Sequence, residues 1–173
     1  MKSKSIRLTP NSYALLALLA QLGEATSYDI KQALEMSIEN FWPVPHTTAY
    51  EEPSRLAAGG YLSVRQETDG RRRKLYLLTD DGRAALAAWT AEPTAAPPQL
   101  RDEALLKVFA GAAPEPLLGA RMAWHRAKLE ELEGYLSEVR KAEGWTGGER
   151  SLIVGVRYHR KMLELMDGLH GPS

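Results

Sequence analysis

The residues that could do chemistry in this chain are more telling for what they fail to assemble. Four histidines, His46, His125, His159 and His170, stand far apart and lack the close spacing that sets two imidazoles on one metal ion. The 173 residues contain no cysteine, which removes thiolate ligands, disulfides and a thiol nucleophile together. Glu51-Glu52 and Asp80-Asp81 are adjacent pairs near helix starts, and neighbours on a helix diverge instead of converging on one substrate. Neither a glycine-rich phosphate loop nor a nucleophile elbow is present. These patterns argue against an enzyme and imply no metal and no cofactor.

What remains is the chemistry of binding. Gly70-Arg71-Arg72-Arg73-Lys74 places four consecutive cations directly after the turn signal Thr68-Asp69-Gly70. Strand alternation sends neighbouring side chains to opposite faces, so about two of the four can meet one phosphate strand. Upstream, Ala49, Pro53 and Leu56, spaced four and three apart, form the inward stripe of a helix. His46, Thr47, Thr48, Tyr50, Glu51, Ser54 and Arg55 are then candidates for its outward face. His46, Thr48 and Tyr50 can exchange hydrogen bonds with phosphates or base edges, and Arg55 can pair with either. An ordinary amphipathic helix shows the same stripe. A basic hairpin tip directly after it favours DNA binding.

The elements that must position these residues follow from caps and periodicity. Thr9 caps a first helix from Pro10 to Leu22, with Leu15, Leu18, Leu19 and Leu22 apolar and Gly23 as the stop. Lys2, Lys4 and Arg7 before the run Tyr13 to Ala20 superficially copy a signal peptide, but the capped helix is the better reading, and nothing approaches the roughly 18 apolar residues of a membrane span. A second helix is expected from Tyr28 to Glu39, capped by Ser27, with Ile30, Ala33, Leu34 and Ile38 on one face. Phe41, Trp42, Pro43 and Pro45 interrupt it, and a third helix runs from Thr47 to Ala58, ended by Gly59-Gly60. Two strands, around Tyr61 to Val64 and Leu75 to Leu78, make a hairpin, and Thr79 caps a fourth helix to Trp89. Helix, helix, helix, hairpin is the order of a winged helix-turn-helix.

Residues 92–99 are rich in proline and read as a linker. The fold class is mainly α: a winged helix-turn-helix domain over 1–91, then a helical dimerisation domain over 100–173 with helices at Arg101 to Phe109, Pro116 to Lys141 and Gly148 to Leu169. Leu118, Met122, His125, Leu129, Leu132, Leu136 and Val139 are spaced 4, 3, 4, 3, 4, 3, the seam of a coiled coil that would pair two chains. Packing within one chain gives the same pattern. His125 in that seam is either a pH-sensitive or ligand-binding group, or a histidine satisfied by hydrogen bonds.

The charge is balanced: residues 1–90 hold 11 basic and 10 acidic side chains, residues 91–173 hold 11 and 12. A nucleic-acid binder more often has a basic excess, which leaves a winged helix that binds protein as the alternative. Without cysteine or a membrane span, a cytoplasmic location is expected.

In order and spacing these motifs resemble the PadR-type transcriptional regulators. The residues that carry the likeness are Leu8-Thr9-Pro10 with Ala14-Leu15-Leu16, Ser27-Tyr28-Asp29-Ile30, Phe41-Trp42-Pro43, Tyr50 with Arg55-Leu56, and Gly60-Tyr61-Leu62. They continue through Gly70 to Lys74 with Tyr76, Leu78-Thr79 and Gly82-Arg83, and on to Leu100-Arg101-Asp102-Glu103. The resemblance implies a repressor that binds an inverted-repeat operator in double-stranded DNA as a homodimer and is often released by a small aromatic or drug-like effector. On that basis Tyr50 matches a recognition-helix tyrosine, Arg71 to Lys74 match a basic wing, and Trp42, Trp124 and His125 are candidate ligand-pocket residues, with Trp89, Tyr135, Trp145 and Tyr158 as further aromatic surface. One departure is Pro53, where leucine is usual. Inside a helix it costs up to about 3 kcal/mol and is expected to kink the helix or delay its start.

Overall fold

A computed structural model describes residues 6–39, 41–67, 72–99, 101–141 and 146–168. The chain divides into two compact units, Met1–Ala95 and Ala96–Ser173.

In the first unit, α1 spans Pro10–Leu22, closed at its start by a reciprocal cap between Thr9 and Ser12 and at its end by Gly23, whose φ of 75° is the left-handed conformation that favours glycine. A two-residue strand β1, Ala25–Thr26, follows, then α2, Ser27–Ser37. The cap of α2 is Thr26, not the expected Ser27: Thr26 has extended backbone and accepts from the Asp29 N–H, whereas Ser27 is already helical. α2 also stops short of Glu39, with Ile38 closing it through a bond to the Leu34 carbonyl.

α3 spans His46–Ala58 as one continuous helix with Pro53 inside it. It starts at His46, one residue before the expected Thr47, and Pro53 does not delay it. Ala49, Pro53 and Leu56 are its buried residues, as their spacing requires. β2, Leu62–Gln66, and β3, Lys74–Leu78, pair antiparallel with Leu62 opposite Leu78 and Gln66 opposite Lys74. β1 pairs with the other edge of β3, giving a three-stranded sheet in the order β1-β3-β2. The expected turn at Thr68-Asp69-Gly70 and the first wing cation, Arg71, lie outside the described residues. α4, Asp80–Ala91, is capped by Thr79 and carries Asp80 and Asp81 in its first turn, where the helix dipole favours them. Its Gly82 sits so close to the sheet that an added Cβ would lie 2.2 Å from the Tyr61 carbonyl oxygen. One core, including Leu15, Leu16, Ile30, Leu56, Tyr76 and Leu78, joins α1, α2, α3 and the sheet.

The second unit holds α5, Glu103–Phe109, α6, Pro114–Lys141, and α7, Thr146–Asp167. α6 and α7 each begin two residues before their expected starts, and Leu169 lies outside the described residues. The seam on α6 has the predicted burial, with Met122, His125, Leu132 and Leu136 buried and Leu118, Leu129 and Val139 half-buried. Leu132 and Leu136 pack with Leu152 and Val156 of α7, flanked by Leu129, Val139 and Ile153. A heptad stripe requires an apolar cover, and over Leu129 to Val139 the next helix of the same chain supplies part of it.

Leu132 is 0% exposed. Leu132→Ala should cost about 2–5 kcal/mol by opening a cavity. Thermal melts at several protein concentrations check this: the drop in midpoint should be the same at each, whereas an inter-chain seam would make it grow on dilution.

Candidate nucleic-acid interface

The outward face of α3 is built by helical geometry. With Ala49, Pro53 and Leu56 fixed inward, His46, Thr47, Tyr50, Glu51 and Ser54 fall on the exposed side, and Thr48 is half-buried at its edge. Tyr50 is 50% exposed, the largest side chain of this face. The imidazole Nδ1 of His46 stands 3.6 Å from Glu35 on α2, whose carboxylate also holds Lys31 at 2.6 Å. Arg55, expected to face outward, is turned back into its own unit: it bonds Glu52, the Ser12 hydroxyl and the Arg7 carbonyl. The Ser54 hydroxyl shares a hydrogen bond with Tyr76 of β3.

On the hairpin, Arg72, Arg73 and Lys74 are exposed. Arg73 is paired with Glu67 on the opposite strand through Nη2 to Oε1 at 3.0 Å and Nε to Oε2 at 3.1 Å. That bond holds the Glu67 carboxyl below its ordinary value, so a phosphate must compete with an ionised carboxylate for Arg73. Among the described residues, Arg72 and Lys74 take part in no ion pair, which makes them the readier phosphate partners. Arg72 also has a φ of 50°, marking where the chain turns into β3.

Of the candidate ligand-pocket residues, Trp42 belongs to the first unit, where its indole N–H donates to the Asn11 carbonyl oxygen at 2.8 Å beside a shallow groove between α2 and α3. Trp89 stacks on Tyr13 at 4.7 Å in the same unit. Trp124 and His125 lie in the second unit, in a cluster whose second imidazole, His159, sequence reasoning missed. The Nδ1 atoms of His125 and His159 are 2.8 Å apart, with the residues 0% and 3% exposed. Trp124 packs edge-on against both imidazoles and Tyr158 edge-on against that of His159, and the Arg121 guanidinium lies 4.7 Å above the Trp124 ring while pairing with Asp102 at 2.6 Å. His125 Nε2 and Arg121 Nε are buried without a hydrogen-bond partner. The two histidines are 34 residues apart, and no local pattern could have joined them. Trp145 and His170 lie outside the described residues, and among the described residues no three metal-ligating side chains come together.

The family model of the PadR-like transcriptional regulators matches residues 15–88. The negative transcriptional regulator PadR of Bacillus subtilis is 30% identical over 129 residues, covering 70% of each chain. The chain belongs to the PadR-like family. Two solved structures carry the same fold over both units. Bacillus subtilis PadR in complex with operator DNA superposes with a TM-score of 0.79 at 22% identity, covering 95% of this chain and 98% of that one. The same regulator in complex with p-coumaric acid gives 0.74 at 22%, covering 94% and 96%. Membership makes this chain a transcriptional regulator. No helix among its described residues is long and apolar enough to cross a membrane.

The histidine pair generates a pH prediction. One Nδ1–H donates to the other Nδ1, so the accepting ring is neutral, and protonating it breaks the bond. Burial, then the charges of His125, Lys128 and Arg121, lower the His159 pKa from 6.5 to about 4. Burial first and Arg121 second also lower that of His125, against Asp102. The unfolded chain therefore binds more protons than the folded one between these values, and stability falls as the pH drops below 6.5. By pH of about 5 the loss should be on the order of 2 kcal/mol. Melts of wild type and His159→Phe at neutral and mildly acid pH check this: the variant should be less stable at neutral pH but lose less on acidification.

Proposed function

We propose that this regulator is a cytoplasmic repressor that acts by binding rather than catalysis, docking as a homodimer on an inverted-repeat operator. α3 enters the major groove with His46, Thr47, Thr48 and Tyr50 toward base edges and phosphates, and Arg71, Arg72, Arg73 and Lys74 reach the backbone from the wing. The observation that supports this most is the two-sidedness of α3: its inner face is sealed in the core while a polar stripe with a half-exposed tyrosine faces out, directly before a cationic hairpin. The negative regulatory role of the Bacillus subtilis relative supports repression.

For the homodimer, the α6 stripe of Leu118, Met122, Leu129, Leu132, Leu136 and Val139 remains one candidate surface for a second copy, and α5 is another. That helix has seven residues and none buried, with Leu106 64% and Phe109 88% exposed. So short a helix is marginal without tertiary cover, and a matching helix of a second copy would provide it. An effector that releases the protein from DNA would be a small aromatic acid. Trp124, His125 and Tyr158 offer ring surface, and the unpartnered His125 and Arg121 nitrogens offer polar contacts for a carboxylate.

The balanced charge favours one competing reading, a winged helix that binds protein. A salt titration on duplex DNA separates the two, because phosphate contacts release counterions. Wild type should bind with a steep negative slope of log affinity against log salt. Replacing Arg71, Arg72, Arg73 and Lys74 by alanine should flatten the slope by roughly 0.9 for each phosphate that the wing no longer neutralises. Tyr50→Ala should weaken binding to a preferred duplex while leaving the melting temperature nearly unchanged, since half of the side chain is already in water. An unchanged slope in the wing variant would remove the wing from the interface.

A further inference from the structure

The helix that reads DNA under the proposal above carries a proline at its centre and is nonetheless continuous from His46 to Ala58. Proline has no N–H, so α3 lacks the rung that residue 53 would give to the Ala49 carbonyl, and the ring crowds that oxygen. A helix missing such a rung bends there unless something spans the gap. Glu52 and Arg55, one on each side of the missing rung, are bonded to each other and to α1. Arg55 grips Glu52 with two prongs, Nε to Oε2 at 2.7 Å and Nη2 to Oε1 at 2.5 Å. The Ser12 hydroxyl donates to Glu52 Oε1 at 2.6 Å and accepts from Arg55 Nη2 at 2.9 Å, while Arg55 Nη1 donates to the Arg7 carbonyl at 3.0 Å.

The anchor is firm. Ser12 is 0% exposed and is also the residue that closes the cap of α1 by accepting from the Thr9 N–H. The Glu52 side chain is only 12% exposed, so the pair is partly withdrawn from water, where charge-assisted bonds are stronger. Burial pushes the Glu52 carboxyl up, but the bonds from Arg55 and Ser12 outweigh it and hold its pKa below the ordinary value. The carboxylate is thus ionised and engaged at neutral pH.

We propose that Ser12, Glu52 and Arg55 form a clamp that spans the rung missing at Pro53 and sets the direction of α3, so that His46, Thr47 and Tyr50 on the far side of the proline project together into the groove. Arg55 is a positioning residue, not a DNA contact. This rests on the DNA-binding reading for its function and on the fold alone for its structure. A lysine cannot stand in for Arg55, because one ammonium cannot supply two parallel prongs and two further donors in fixed directions.

The test uses the full chain and a duplex selected from a random pool by wild type. Arg55→Gln should lower affinity for that duplex about tenfold or more, a difference of about 1.4 kcal/mol or above, and Arg55→Lys should not restore it. The salt slope should stay at the wild-type value, since every phosphate is still met, and Pro53→Leu, which returns the missing rung, should recover most of the affinity of Arg55→Gln. A slope flattened by about 0.9 would make Arg55 a phosphate contact and overturn the proposal. Failure of Pro53→Leu to suppress the loss would overturn it as well. Amide exchange without DNA keeps the two readings apart: Arg55→Gln should speed exchange in residues 46–52 and leave α6 and α7 unchanged. Unchanged protection of α3 would overturn the clamp whatever the DNA result, while wild type that binds no duplex would overturn the DNA reading alone. Should Arg55→Gln unfold the first unit, Ser12→Ala, which removes one arm of the clamp, is read in the same way.

Discussion

The burial of one face of α3 is the constraint on which the rest of the first unit depends. Ala49, Pro53 and Leu56 enter a core shared with α1, α2 and the sheet, and that engagement leaves the helix a single side to offer a partner. Apolar burial fixes which face turns inward but says little about rotation and tilt, because it is not directional. Hydrogen bonds supply the direction. The network among Ser12, Glu52 and Arg55 joins the capped start of α1 to the turn of α3 that contains Pro53, and Ser54 ties the same turn to Tyr76 of the sheet.

The zero net charge becomes intelligible once the ion pairs are placed. Arg65 is held by Glu24, Arg73 by Glu67, Arg83 by Asp80 and Arg55 by Glu52, so much of the positive charge of the first unit is answered inside it. The more exposed of these pairs, such as Arg83 with Asp80, add little stability. Their consequence is one of address: cations without a carboxylate partner, Arg7, Arg72 and Lys74 among the described residues of the first unit, stand out against a neutral background. A phosphate strand can then be met at chosen points without a large basic field that would hold the protein on any polyanion.

In the second unit the long helices α6 and α7 satisfy each other. Leu132, Leu136, Leu152 and Val156 make its apolar centre. Toward the other end of the pair the cover turns polar, with His125 and His159 bonded to each other among the rings of Trp124 and Tyr158. A buried imidazole pair with an unpartnered nitrogen is an unusual thing to keep in a helical core, since apolar residues would cost less. That is the physical reason to look for ligand or proton chemistry at this point and not along the leucine stripe.

Local rules were enough for the elements and their faces. Thr9 and Gly23 bound α1, Thr79 and its acidic pair start α4, the spacing of Ala49, Pro53 and Leu56 names the inner side of α3, and the heptad spacing on α6 names its covered stripe. Each is a consequence of backbone geometry within a few residues, so it is written in the order of the side chains. The two-residue strand β1 left no such signal, and Thr26 took the cap of α2 from Ser27 because its pairing with β3 had already set an extended backbone there. Tertiary structure alone decided who covers the α6 stripe, where Arg55 points and which histidine meets His125. Apart from Glu52, a neighbour on the same helix, those partners are far away in sequence, Ser12 by 43 residues from Arg55 and His159 by 34 from His125, and a side chain able to bond several acceptors is committed only when the fold brings one of them within about 3 Å.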